Sequence, residues 1–345
     1  MRKFTTLTAV AAAIGLLGTA STPAQAACTF TTVGTTMTLD ADCTTDVTIV
    51  VPDGMTLDGN GNAITAMDPG AGHFLGGVVE NGGTVAHVTR LVVNTSGLAN
   101  VCDAGANRLR GIMFDGASGS ITHNTVEDIN QGASGCQEGN AIEARNAPFD
   151  GTHTATKTVE IAHNVLQDWQ KTGIVCNGDV DCHIHHNMIS ESFTQNNLAA
   201  NSVQIGFGGI GLVELNHIAG NQWFGCDLIT SNFAASAVLL FLADSPTVRR
   251  NNIGGNADVG IFIVNDDVTV DNNRVFESGV DGGCYDVGIW DFGDPGSSIT
   301  NNKVRGYDDP AVSDSGNITG TKVVPAPQDP GMACFLPDTS VQSCP

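Results

Sequence analysis

The sequence predicts an all-β, single-domain solenoid whose coils each contain three short strands. Three observations predict it: a unit of about 21 residues recurs, apolar residues alternate within it as they do in strands, and an asparagine returns near its end. Two successive units read VLLFLADSPTVRRNNIGGN and VGIFIVNDDVTVDNNRVFESG. When Val248 is aligned with Val270 without a gap, Leu239 falls on Ile261.

Each unit supplies the elements of one coil. Short apolar runs rich in Val, Ile and Thr are bounded by Gly, Asn and Asp, which is typical of strands separated by turns. Three strands and three turns close one coil, and neighbouring coils stack about 4.8 Å apart. No segment after the N-terminus has a convincing helical period.

The repeated asparagine is expected to form a ladder between coils. Its amide both donates and accepts hydrogen bonds, and asparagine tolerates the left-handed backbone conformation found in tight turns. The predicted ladder contains Asn124, Asn164, Asn187, Asn216, Asn252, Asn273 and Asn302.

These units resemble the right-handed parallel β-helix superfamily, the pectin-lyase-like solenoids. The resemblance covers roughly residues 45–310 and includes the opening VPDGMTLDGNGNAIT, which is similar to a first coil of that family. It implies a right-handed parallel β-helix, with carbohydrate ligands lying across the first strand of each coil. The segments typical of polygalacturonases and of the main pectate lyase group are absent, so the resemblance transfers no catalytic residue.

The chain is expected to divide into four segments. Residues 1–26 have Arg2 and Lys3, an apolar stretch and an Ala-Gln-Ala ending, which predicts a secretory signal peptide and a secreted or periplasmic protein of bacterial type. Residues 27–44 form an N-terminal cap and residues 45–310 the β-helix. The Pro- and Gly-containing tail, residues 311–345, is expected to pack on the helix. No internal apolar run is long enough to span a membrane.

Ten cysteines in an exported chain predict disulfides. The alignment of coils suggests the pairs Cys102–Cys136, Cys176–Cys182 and Cys226–Cys284, and the pairs Cys28–Cys43 and Cys334–Cys344 would close the two ends. Calcium is the one cofactor that the sequence leaves open, and without CxxC pairs no zinc site is predicted.

Charge restricts the partners. The formal net charge is −22 and becomes −24 once the predicted signal peptide is removed. Nucleic acid is therefore excluded as a partner. An anionic polysaccharide would require calcium or a local basic pocket to offset the repulsion.

Alternation predicts which side chains face the groove. The inward residues are taken to be Ile112, Ile142, Ile174, Ile205, Leu239 and Ile261. The outward residues of the early coils are then polar, and Asp115, Glu143, Arg145 and Asn177 form one cluster.

Turns beside this cluster add further candidates. For β-elimination, Arg145, Lys171 or His153 would serve as the base or as the stabilising cation. For hydrolysis, Asp115 and Glu143 would form the carboxyl pair. Asn177, Glu138, Asp150 and Trp290 are the candidate substrate-binding residues. The alternative interpretation is that Glu143 and Arg145 are a solvated ion pair.

Histidines and an apolar stripe are two further features. His183 and His185 are expected to point outward from the second strand of their coil as surface residues, and His123, His163 and His186 to stack in a stripe. On later coils, the sequence predicts an outward apolar stripe of Leu240, Leu242, Phe262, Val264 and Trp290. The tail would cover this stripe, or the stripe would mediate self-association, or Trp290 would stack against sugars.

Two classes of function follow. The first is a secreted carbohydrate-active enzyme that cleaves a polysaccharide by β-elimination or hydrolysis across the early coils. The second is a non-catalytic exported β-helix that binds glycans or another surface.

Overall fold

A computed structural model describes most of the chain between residues 27 and 324. The described ranges are 27–152, 155–193, 198–223, 234–264, 267–277, 285–292, 296–308, 312–313 and 318–324. The predicted signal peptide, most of the predicted tail and His153 lie outside the described residues.

The described strands form three long sheets, one for each strand position in the coil. The groove sheet contains β4 (Ile49–Val51), β7 (Gly77–Asn81), β10 (Arg110–Asp115), β13 (Asn140–Asn146), β16 (Thr172–Gly178), β19 (Asn201–Gly206), β22 (Ser236–Phe241), β25 (Val259–Val264), β28 (Val287–Phe292) and β31 (Val312–Ser313).

The second sheet contains β1 (Phe30–Val33), β2 (Thr36–Leu39), β5 (Met55–Asp58), β8 (Val85–Thr89), β11 (Ser118–Thr122), β14 (Lys157–Ala162), β17 (Val180–His185), β20 (Ile210–Glu214), β23 (Thr247–Arg249), β26 (Thr269–Asp271), β29 (Ser298–Thr300) and β32 (Ile318–Thr319).

The third sheet contains β3 (Cys43–Thr45), β6 (Ala63–Ala66), β9 (Val92–Thr95), β12 (Thr125–Glu127), β15 (Val165–Gln167), β18 (Met188–Ile189), β21 (His217–Ala219), β24 (Asn252–Gly254), β27 (Arg274–Phe276), β30 (Lys303–Arg305) and β33 (Lys322–Val324). A short 3-10 helix (Gly105–Asn107) precedes β10.

Successive coils pair in parallel, as the sequence predicts. Each strand pairs with the strand one coil away, for example β10 with β13 and β13 with β16. The exception among the described pairs is β1, which folds back antiparallel on β2. Parallel pairing runs from Thr36 to Val324, beyond both ends of the predicted 45–310 segment. The fold is an all-β parallel helix with no helix that has the length and apolar character needed to cross a bilayer in the described part of the chain.

Stacked apolar side chains fill the interior. One inward column of the groove sheet contains Ile112, Ile142, Ile174, Val203, Val238, Ile261 and Ile289, all fully buried. Burying each such side chain contributes about 1.5–3 kcal/mol. The residue before each member of this column is small. At Gly111, for example, a Cβ would lie 2.5 Å from the carbonyl oxygen of Ala141.

The predicted register is wrong in two coils, by one residue at β22 and by two residues at β19. Val238, not Leu239, pairs with Ile261, so Leu239 points outward and Leu240 is fully buried. The turn between the groove strand and the second strand is one residue longer in this coil than in the next, and a one-residue slip exchanges the faces of a strand. Ile205 is inward as predicted, but in the column of Cys176 and Leu240.

The asparagine ladder is present, with one correction. Each amide donates from Nδ2 to Oδ1 of the next asparagine at 3.0 Å, through Asn124, Asn164, Asn187, Asn216, Asn251, Asn273 and Asn302. Asn251 replaces the predicted Asn252, which begins β24 instead. The residue before each ladder asparagine has a left-handed backbone, as at Arg250 with φ 56°.

Three of the predicted disulfides are present. Cys28–Cys43, Cys102–Cys136 and Cys176–Cys182 are bonded, and the described part of the chain contains no free cysteine. The pairs Cys226–Cys284 and Cys334–Cys344 lie outside the described residues.

Candidate ligand-binding cleft

A cleft of about 730 Å³ lies on the outer face of the groove sheet. Strands β10 to β28 form its floor and the turns around them form its walls. Its lining residues are Gly105, Arg108, Arg110, Gln137, Asn140, Glu143, Arg145, Phe149, Lys171, Thr172, Val175, Asn177, Leu198, Ala199, Asn201, Gln204, Phe207, Trp223, Ala234, Leu239, Phe241, Phe262, Val264 and Phe292.

The cleft is basic although the chain is acidic. Among the described residues, four basic side chains line it, those of Arg108, Arg110, Arg145 and Lys171, and one carboxylate does, that of Glu143. The whole chain has a formal net charge of −22. Basic side chains therefore outnumber carboxylates in the described lining, although Arg110 is paired with Glu143 and Arg145 with Asp115.

Glu143 is buried at the centre of the polar end. Its Oε2 accepts hydrogen bonds from Nε of Arg110 at 2.6 Å and from Nδ2 of Asn140 at 2.7 Å. Nη1 of Arg145 lies 3.7 Å from its Oε1. Arg110 also donates to the carbonyl oxygens of Gly105 and Arg108, which fixes the wall before β10. Glu143 thus holds the guanidinium groups in place.

Asp115 and Arg145 form a second ion pair on adjacent strands. Nε and Nη2 of Arg145 donate to Oδ2 of Asp115 at 3.0 and 2.8 Å, and the backbone N–H of Ala147 donates to its Oδ1 at 3.2 Å. Asp115 is in contact with Arg145 but does not line the cleft. Asp115, Glu143 and Arg145 therefore lie close together, as predicted. The carboxyl groups of Asp115 and Glu143 do not face one ligand position, as a catalytic pair would.

Lys171 stands at the wall just before β16. Its Nζ donates to the carbonyl oxygen of Ala199 at 2.5 Å. Burial lowers the pKa of its ammonium group to about 8, because the charged form loses solvation. Near neutral pH a larger fraction of this lysine is therefore neutral than of an exposed lysine.

The other end of the cleft is aromatic. The rings of Phe149 and Phe207 stack with centroids 5.6 Å apart, and Phe241 meets Phe207 edge-on at 5.3 Å. Phe149 and Phe207 are each 41% exposed. Trp290, predicted as the stacking platform, is 5% exposed, stacks on Phe262 at 4.7 Å and does not line the cleft. The exposed rings of the cleft are therefore phenylalanines.

The predicted apolar stripe is corrected accordingly. Phe262 and Val264 face the cleft as predicted, Leu239 takes the place of Leu240, and Leu242 lies in the turn after β22. Leu239, Phe262 and Val264 therefore line the cleft, and Leu242 does not.

Other predicted residues lie elsewhere. Asn177 lines the cleft, and its Oδ1 accepts a hydrogen bond from Nε2 of Gln204 at 3.2 Å. Glu138 is buried away from it and accepts hydrogen bonds from the backbone N–H groups of Asp103 and Leu109, so it fixes a loop rather than facing a ligand. Asp150 caps an exposed turn through Thr152.

Most of the cleft lining is not among the predicted site residues, and Arg110, Gln204 and Phe207 are three of the residues that were missed. Arg110 was overlooked because it begins its strand, one position before the alternating stretch. Gln204 was missed because the alignment placed Ile205 beside Ile174, a position that Val203 occupies, and a gap in that coil would have corrected it. Phe207 was missed because it lies in the turn after β19, where alternation along the strand makes no prediction.

His183 and His185 point outward from the second sheet, as predicted. They have acidic neighbours that the sequence did not reveal, since Glu214 lies 3.1 Å from Nε2 of His183 and Glu160 lies 3.2 Å from Nε2 of His185. The predicted stripe is present too: His163 stacks on His123 at 4.8 Å and on His186 at 5.1 Å.

Comparison with known proteins supports the architecture. Residues 110–323, more than half of the chain, match the family described as the right handed beta helix region. No curated protein matches the chain.

Two crystal structures are similar to it. The Dettilon tailspike protein is 11% identical with a TM-score of 0.42, over 87% of this chain and 62% of that chain, so this chain spans less than two thirds of the tailspike. A mutant of the periplasmic alginate epimerase AlgG is 11% identical with a TM-score of 0.38, over 86% of this chain and 79% of that chain. The match over residues 110–323 establishes that the chain belongs to the right-handed β-helix family.

Proposed function

We propose that this chain is an exported carbohydrate-active protein that binds an anionic polysaccharide in the cleft and cleaves it by β-elimination. One observation carries the proposal: four basic side chains and one carboxylate are found in the described lining of a cleft on a chain of formal net charge −22. The three disulfides support export, because disulfides persist in oxidising compartments.

The cleft suits a sugar chain that carries carboxylates. Guanidinium groups bind carboxylates through paired hydrogen bonds. Amides at Asn140, Asn177, Asn201 and Gln204 provide donors and acceptors for hydroxyl groups. Exposed aromatic rings at the other end offer apolar surface to the C–H face of a sugar. The floor crosses several coils, which matches an extended ligand.

β-Elimination requires a base and a cationic partner for the developing charge. In this proposal, neutral Lys171 removes the proton α to a uronate carboxyl. The C–H electron pair forms the new double bond, the glycosidic bond breaks, and the leaving oxygen takes a proton from water. Arg110 and Arg145 stabilise the negative charge that accumulates on the carboxyl. Hydrolysis has weaker support, because Asp115 does not line the cleft and both carboxylates of the predicted pair accept hydrogen bonds from arginines.

Binding without cleavage is the second candidate. The observation that favours it is that the polar end is already satisfied: Lys171 donates to Ala199, and Arg110 and Arg145 are ion-paired. In this arrangement the cleft binds a ligand without any of these groups acting as a base.

The test is a panel of acidic and neutral polysaccharides with and without calcium, followed by ultraviolet absorbance of the unsaturated product and by new reducing ends. We expect absorbance on an acidic substrate that Arg145→Ala reduces at least about tenfold, since it removes an interaction with the reacting carboxyl. Arg274→Ala removes the same charge from the third sheet and should leave the rate unchanged.

The other outcomes separate the candidates. Retention of an acidic glycan by the protein, lost in Arg145→Ala but without any product, assigns the binding function. Reducing ends without absorbance would establish hydrolysis and refute elimination. No binding and no product across acidic substrates would reject both proposals for the cleft.

A further inference from the structure

Five of the nine histidines gather on one patch of the second sheet and the turn that follows it. His123, His163 and His186 occupy the left-handed turn position of successive coils, with φ of 60°, 58° and 54°. His183 and His185 project from β17 beside them. The coil spacing of about 4.8 Å places the turn residues in one stack. The patch lies on a different sheet from the cleft, so the proposed function does not use it.

Three of these rings bring nitrogen atoms together. His163, His185 and His186 each offer one ring nitrogen, and these three atoms lie within 4.8 Å of one another. Nδ1 of His185 and Nδ1 of His186 are 2.8 Å apart. Two nitrogens bound to one tetrahedral zinc ion are about 3.3 Å apart, given Zn–N bonds of about 2.0–2.1 Å. The separations in the structure, 2.8 Å for the His185–His186 pair and no more than 4.8 Å for any pair, bracket that distance.

A carboxylate fixes the orientation of the central histidine. Nε2 of His185 lies 3.2 Å from Oε1 of Glu160. An N–H at Nε2 donated to that carboxylate leaves the lone pair on Nδ1, which points towards His186. Histidines that bind metals commonly use a carboxylate partner in this way, because it sets the tautomer and raises the basicity of the other nitrogen. This contact is a second observation, independent of the clustering.

We propose that His163, His185 and His186 form a binding site for a divalent transition-metal ion that prefers imidazole, such as Zn²⁺. Imidazole ligands suit Zn²⁺, Cu²⁺ and Ni²⁺ rather than Ca²⁺ or Mg²⁺. Three protein ligands leave a fourth position of a tetrahedral ion open to solvent or to an external ligand. The site connects two neighbouring coils, since His163 follows β14 and His185 and His186 belong to the next coil.

The test uses the untagged protein after treatment with a chelator, at a pH of about 7.5, where histidine of ordinary pKa is neutral. Calorimetric titration with Zn²⁺ should give one ion per chain, and Co²⁺ should give the visible absorption of a tetrahedral site. His163→Asn and His186→Asn should abolish both signals. Asparagine tolerates the left-handed turn, as Asn272 and Asn301 show at the same position with φ of 57° and 56°.

Two further variants sharpen the result. His123→Asn changes the same turn position one coil away and should leave the affinity unchanged. Glu160→Gln should weaken Zn²⁺ binding about 10–100-fold, the usual effect of losing such a partner. Unchanged thermal unfolding of the metal-free variants shows that they are folded. Absence of Zn²⁺ binding by the wild type, or equal binding by His163→Asn and His186→Asn, would overturn the proposal. Neither result depends on cleavage of a polysaccharide.

Discussion

Lys171 is the residue on which the proposed chemistry depends most directly. Burial lowers the pKa of its ammonium group to about 8, and a base must be neutral to accept a proton. The neutral fraction rises as pH rises, so the rate of elimination at low substrate concentration should increase about tenfold per pH unit below pH 8 and level off above it. The pH profile of kcat/KM measures this directly.

Lys171→Arg is the matched variant. It keeps the positive charge but not the base, because a guanidinium remains protonated at every accessible pH. We expect cleavage to fall at least about 100-fold, the lower end of what a general base contributes, while glycan binding is retained. A variant that keeps the wild-type rate and pH profile would exclude Lys171 as the base.

At the scale of one element, the asparagine ladder holds the turn between the second and third sheets. Oδ1 of Asn251 accepts hydrogen bonds from both N and Nδ2 of Asn216, and its own Nδ2 donates to Asn273 and to the carbonyl of Val213. Leaving a buried partner unpaired costs about 1–3 kcal/mol. Asn251→Ala should therefore lower the free energy of unfolding by more than about 3 kcal/mol, measured by chemical denaturation.

The neighbouring residue provides the control. Asn252 is half-buried, begins β24 and makes a peripheral contact with His217. Asn252→Ala should change the stability by less than about 1 kcal/mol. Equal effects of the two substitutions would show that the ladder does not carry the stability of this turn.

The same element shows what the sequence can predict. The repeat of Asn after each second strand predicted the ladder, because stacked coils place each amide next to the amide of the neighbouring coil. The pair Asn251 and Asn252 was ambiguous, since either follows the strand, and the left-handed turn at Arg250 decides between them. Similarly, Leu239 and Leu240 are both apolar, so the apolar pattern cannot show which of them points inward. The length of the turn after β22 decides this.

Part of the cleft was predictable for the same reason. Outward positions of β10, β13 and β16 follow from alternation, because Ile112, Ile142 and Ile174 share one register. That alternation located Glu143 and Arg145 correctly. It could not show that Glu138 turns away into a loop or that Trp290 is covered, because loop paths and neighbouring side chains determine both. The histidine site escaped prediction because the carboxylate partner of His185 is Glu160, which lies on the preceding coil.

At the scale of the whole molecule, two electrostatic effects of opposite sign act on an anionic glycan. The basic cleft attracts carboxylates over a few ångströms, whereas the acidic body, with a formal net charge of −22, repels a long polyanion over the screening length. That length is about 30 Å at 0.01 M salt and about 8 Å at 0.15 M. Salt near the physiological range should therefore remove most of the long-range repulsion but less of the short-range attraction.

Ligand length separates the two effects. A short acidic oligosaccharide that fits within the cleft should bind more weakly at each increase in salt. A long acidic polysaccharide should bind more tightly at about 0.15 M than at about 0.01 M salt, and more weakly again near 1 M, where screening reaches the ion pairs themselves. Calorimetric titration of both ligands across this range measures the two curves. If the affinity for the polymer decreased steadily from the lowest salt upward, attraction by the cleft would outweigh repulsion by the acidic body at every salt concentration. This result would contradict the prediction.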